Sequence, residues 1–105
     1  MLLVSAKPGD EVMISLAQQL AELNITNGAI VSLIGAVDAA AISNMPANDA
    51  SSDVITEYLQ PCELSGTGEI KDGALHIHVV LGREGDIAVA GHLHWAEVKT
   101  FFVNA

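Results

Sequence analysis

Four histidines, His76, His78, His92 and His94, are the residues of this sequence best placed to do chemistry. They form two His-x-His pairs, and on a strand residues i and i+2 point to the same face, so each pair is a two-nitrogen grip. Around the first pair, Leu75, Ile77, Val79 and Leu81 alternate with His76, His78 and Val80. That alternation predicts a strand with one buried face and the histidines on the other. A hairpin centred on Glu84 sets His76 opposite His92 and His94 opposite Ala74, with His78 diagonal to His92. Direct partners across a ladder lie about 4.5–5.5 Å apart and diagonal ones about 7–8 Å, so three or four imidazoles converge on one point. A slip of one residue would send the second pair to the opposite face.

Three converging neutral imidazoles are a divalent-metal site. Zinc takes histidine nitrogens in tetrahedral geometry; three leave the fourth position open for water, and four close it. The expected ligands are His76, His78 and His92, with zinc foremost, although nickel, cobalt, iron and copper share the ligand type. His94 is less tied to the pattern, because Trp95 follows it and the strand can end there. Glu69 or Glu97 is a candidate outer acceptor or base. The plainer alternative is a set of half-buried histidines satisfied by hydrogen bonds.

The elements that must position these side chains read as α+β, a largely antiparallel sheet with one main helix over about residues 10–24. Asp10 is a candidate N-cap after Pro8-Gly9, and Val12, Leu16, Leu20 and Leu23 recur on one helical face, with Gln18, Gln19 and Glu22 opposite. Strands are predicted at 4–7, 29–33, 54–59, 63–70, 74–81 and 86–92, with a closing segment at 96–103. Gly35 marks a bulge or a close approach, and 37–43 is Ala-rich and without clear period. Asp72-Gly73 is a hairpin turn, residues 82–85 are a second turn, and residues 44–53 are a surface loop.

Composition narrows the function. The chain has 105 residues, one domain's worth, with 4 Lys plus Arg against 13 Asp plus Glu, a formal charge of −9. Phosphate is repelled by such a chain, so direct nucleic-acid binding is not expected. Half the residues are hydrophobic, too many for disorder, yet no run approaches the roughly 20 residues of a spanning helix. Met1–Val4 lacks the basic residues of a signal peptide, so a cytoplasmic protein is expected. Cys62 is the single cysteine; it excludes an intrachain disulfide and reads as a small buried filler. So apolar a small domain has surplus surface, which predicts self-association. Ser65-Gly66-Thr67-Gly68 lacks the lysine and helix of a phosphate loop. Arg83 reads as a solvated turn cation and Trp95 as a core or interface residue.

Several segments together resemble the PPC (plants and prokaryotes conserved) domain family. Pro8-Gly9-Asp10-Glu11-Val12 resembles its helix start, and Ile25 to Val37, with Gly28, Ser32 and Gly35-Ala36-Val37, its first long strand. Leu64-Ser65-Gly66-Thr67-Gly68 is similar to its L-S-G-T segment. Leu75-His76-Ile77-His78-Val79-Val80-Leu81-Gly82 with Gly91-His92-Leu93 resembles its histidine signature. The resemblance implies an α+β homotrimer of the stand-alone prokaryotic type, with His76, His78 and His92 similar to metal-holding positions of bacterial and archaeal members. The chain departs from the plant members. It has no Arg-Gly-Arg-Pro AT-hook, and Glu57-Tyr58-Leu59-Gln60-Pro61-Cys62 replaces their partner-binding Gly-Arg-Phe-Glu-Ile-Leu patch.

The leading expectation is therefore a trimeric domain with a histidine metal or small-ligand site and a binding or regulatory role. The alternatives are a metal-dependent enzyme of hydrolase or lyase type using an open three-histidine site, and a protein-interaction module.

Overall fold

The helix that covers the core forms where its apolar period predicts it. In the computed structural model, which describes residues 1–105, α1 spans Val12–Glu22 and buries Val12, Leu16 and Leu20. Its N-cap is Glu11 rather than the expected Asp10: the Glu11 carboxylate accepts from the amides of Met13 and Ile14, each at 2.9 Å. It also accepts from the Ala96 amide at 2.9 Å, which pins the helix start to the sheet. Asp10 instead accepts from the Lys7 amide at 2.9 Å and holds the preceding turn. Leu23, expected on the buried face, is the C-cap and is exposed, because the helix ends before that position can reach the core.

Eight strands make one sheet: β1 (Ser5–Ala6), β2 (Gly28–Val37), β3 (Ala39–Asn44), β4 (Val54–Tyr58), β5 (Cys62–Lys71), β6 (Ala74–Arg83), β7 (Ile87–Glu97) and β8 (Val103–Asn104). Their order is β1-β8-β2-β5-β6-β7-β3-β4, and every ladder is antiparallel. The predicted α+β class, one helix on a large antiparallel sheet, is what the chain adopts. One sheet face packs on α1 through Leu33, Leu64, Ile77, Val79, Leu81 and Leu93, all buried.

Two differences from the sequence reading, and one choice it leaves open, have specific causes. The Ala-rich run 37–43 is split: Val37 ends β2, and Ala39 to Ser43 lie in β3, all buried, which is why that stretch shows no alternation. Gly35 is a close approach and not a bulge: a side chain there would run into the Phe102 carbonyl, and the register shift of β2 lies between Ile30 and Leu33. The closing segment 96–103 is not one strand. β7 runs on to Glu97, and Asp38 accepts from the amides of Lys99 (2.6 Å) and Thr100 (3.0 Å), turning the chain before the short β8.

Candidate metal centre

The site is built on the β6–β7 hairpin, and its register differs from the one centred on Glu84. His78 pairs with His92, and the ladder runs to Arg83↔Ile87, leaving Glu84, Gly85 and Asp86 as the loop. The turn centres on Gly85 because the left-handed conformations fall at Gly85 (φ 83°) and Asp86 (φ 60°), residue types that tolerate them. The expected pairs His76–His92 and His94–Ala74 are therefore not formed. The change is an even number of positions, so the face of each side chain is kept. His78 and His92 lie in one row with Thr67 on β5 and Ser43 on β3.

Three imidazoles meet there. The ring centroids of His76 and His78 are 4.8 Å apart, those of His76 and His92 5.0 Å, and those of His78 and His92 5.8 Å. One ligand nitrogen from each lies within 4.8 Å of the others, and His76 Nε2 is 3.1 Å from His78 Nε2. Tetrahedral zinc with Zn–N near 2.0–2.1 Å separates its nitrogens by about 3.3–3.4 Å. The donor set and its closest spacing thus fit one small divalent cation.

The surroundings favour a neutral His92 ring. His92 titrates below the ordinary histidine value of 6.5, first because burial penalises its charged form and then because His94, His76 and His78 add like charge; Asp53 opposes this in part. A neutral imidazole is the form that ligates. His76 Nδ1 lies 3.4 Å from Glu69 Oε1, its direct cross-strand partner on β5. With the carboxylate accepting from Nδ1–H, Nε2 carries the lone pair toward the centre, the carboxylate–histidine arrangement of metal sites. Glu97, the other carboxylate candidate, is excluded by position. It pairs with Ala39 at the end of β7, about 16 Å from His92 by strand rise, and its side chain reaches Lys99.

His94 packs edge-on against His92, ring centroids 4.9 Å apart, but its nitrogens are not among the three that converge. The β3–β7 register shifts so that Ala41 pairs with Trp95 and Ile42 with Leu93, which leaves His94 as the extra residue of a β-bulge. The bulge resets the alternation: Leu93 and Ala96 are buried, while His92, His94 and Trp95 are half-buried. His94 Nε2 is 2.8 Å from Ser43 Oγ, the one buried polar residue of the chain. Ser43 was invisible to sequence reasoning, because its strand carries no period. β7 reaches β3 closely enough for these contacts only because position 91 is glycine: a Cβ there would come within 2.6 Å of the Ser43 carbonyl oxygen. Beside the cluster a cavity of about 340 Å³ opens between Asn44, Met45, Asp53 and the histidines.

A scan of family models matches the Plants and Prokaryotes Conserved (PCC) domain to residues 1–104. This chain belongs to that family. Among solved structures, a metal-containing protein from Archaeoglobus fulgidus shares 33% identity and a TM-score of 0.78 with this PCC-domain chain, covering 98% of it and 75% of that protein. A plant- and prokaryote-conserved (PPC) protein from Pyrococcus horikoshii shares 25% identity at a TM-score of 0.83, covering 98% and 74%. A Bacteroides thetaiotaomicron protein with a provisional DNA-binding name shares 23% identity at a TM-score of 0.83, covering 97% and 73%; at that identity it speaks to the fold alone. Among curated proteins none matches. No helix of this PCC-domain chain is long and apolar enough to cross a membrane.

Proposed function

We propose that this PCC-domain chain binds a divalent cation, zinc foremost, through His76, His78 and His92, and that it does so as a cytoplasmic homotrimer with a binding or regulatory role. The observation that carries the reading is the convergence of three ligand nitrogens within 4.8 Å on one sheet face. The 33%-identical Archaeoglobus protein described as metal-containing supports it. A bound cation would supply Lewis acidity; Glu69 would orient His76, and β6 and β7 would hold the other two rings. Trimer formation is supported by apolar side chains left in water, such as Ile34 (61% exposed) and Val80 (45%). These two share one cross-strand row through Ser65. The −9 charge argues against direct contact with nucleic acid.

Metal analysis of the purified protein tests the reading. One equivalent of metal per chain is expected, lost in the His76→Ala/His92→Ala double variant; equal trace metal in both samples would overturn it.

A metal-dependent hydrolase or lyase is the second reading. It is favoured by the cavity of about 340 Å³ beside the cluster, large enough to admit a small substrate. Zinc-dependent hydrolysis of a p-nitrophenyl ester that disappears in His78→Ala would support it, and no turnover above buffer would count against it.

A further inference from the structure

Arg83 ends β6 at the opposite end from the histidines, about 16 Å from His78 by strand rise. It is one of only 4 cationic side chains in a chain with 13 acidic ones, yet neither of the two close ion pairs includes it. Its Nε is the one buried side-chain nitrogen or oxygen that has no hydrogen-bond partner. A guanidinium has five N–H donors and no acceptor, so a buried donor without a partner is costly. The plane is nonetheless held in place: its central carbon sits 5.3 Å from the centroid of the Tyr58 ring.

Arg83 lines a cavity of about 530 Å³ where the β4–β5 connection passes the segment before β8. That volume is in the range of small-ligand sites. Pro61 and Phe101, the latter 60% exposed, form an apolar wall, and Gln60 and Thr100 add polar groups. Asp38, Glu63 and Glu84 also border it, Asp38 with its carboxylate already accepting from Lys99 and Thr100. Their charge works against a multiply charged anion more than against a singly charged one.

We infer that this cavity is a binding site for a small organic monocarboxylate, held by the Arg83 guanidinium with its apolar body against Pro61 and Phe101. A carboxylate is the planar acceptor that a guanidinium fork matches with two parallel hydrogen bonds. Burial pushes the Cys62 thiol in the cavity wall up from its ordinary value. The site is independent of the histidine cluster.

Amide NMR of the full chain, titrated with benzoate and separately with inorganic phosphate, tests the inference. Saturable benzoate shifts are expected at the amides of Gln60, Cys62, Glu63, Arg83 and Phe101, with weaker phosphate binding. Arg83→Gln should lower benzoate affinity by about tenfold or more. Arg83→Lys, which keeps the charge and loses the fork, should also weaken it, whereas Glu63→Gln should strengthen it. Absent or non-saturable shifts, equal affinity in a folded Arg83→Gln variant, or tighter phosphate binding would each overturn the inference. So would a change of oligomeric state in Arg83→Gln without benzoate binding, since the acceptor for Arg83 would then belong to a second copy.

Discussion

His78 and His92 face each other directly across the β6–β7 ladder, their rings 5.8 Å apart and nearly perpendicular at 88°. That pairing turns two separate His-x-His motifs into one site. His76, two residues before His78, meets both rings, while His94, its ring still 4.9 Å from that of His92, turns Nε2 to Ser43.

In the proposed site Glu69 would act through His76, 3.4 Å away, and not on the cation itself. Glu69→Gln should therefore weaken zinc affinity by about 10–100-fold and leave the stoichiometry unchanged at saturating metal. A competition titration against a chromophoric chelator measures this. Unchanged affinity would show that His76 keeps its orientation without the carboxylate.

Removing the Ser43 hydroxyl leaves His94 without its 2.8 Å partner in a half-buried setting. Ser43→Ala should cost about 1–3 kcal/mol in chemical denaturation and keep the metal content of the wild type. Loss of metal in that variant would place His94 in the coordination sphere.

Leu81 is fully buried on the face of β6 opposite the histidines. Leu81→Ala should destabilise the protein by about 2–5 kcal/mol through lost burial and a cavity beneath the sheet. The comparison is made by urea unfolding of the metal-free forms. Val80, exposed on the histidine face, is the control: Val80→Thr should change stability little and weaken self-association, read by sedimentation.

The pH dependence has a definite sign. Burial and the neighbouring imidazoles hold His92 below its ordinary value of 6.5 in the folded chain. The unfolded chain therefore takes up its proton first as the pH falls, so this contribution to stability is present above 6.5 and is lost on going below it. The melting temperature of the chelator-treated protein should fall between about pH 7 and about pH 5. His92→Asn should flatten that slope. An equal slope in both proteins would mean that other groups carry the effect.

Much of this site is legible in the sequence, because strand periodicity is a local property. The alternation from Leu75 to Leu81 assigns His76 and His78 to the open face, and the structure places them there. What fails lies outside that alternation, in one turn and in contacts between distant parts of the chain. The hairpin centre depends on whether Glu84 or Gly85 takes the apex, and only the backbone conformations of Gly85 and Asp86 decide it. The bulge at His94 depends on β3, a run of alanines buried together and hence without a pattern to read. Glu97 is a plausible base by sequence nearness alone, yet a strand carries it away from His92 toward Lys99. The helix cap passes from Asp10 to Glu11 because Glu11 can also reach the Ala96 amide, a contact between distant parts of the chain.

Zinc-edge X-ray absorption of the metal-loaded protein tests the central claim most directly. The account predicts one zinc per chain with three imidazole nitrogens at about 2.0–2.1 Å and one further light ligand, and loss of the imidazole signal in the His76→Ala/His92→Ala variant. A first shell without imidazole, or no protein-bound zinc, would contradict it.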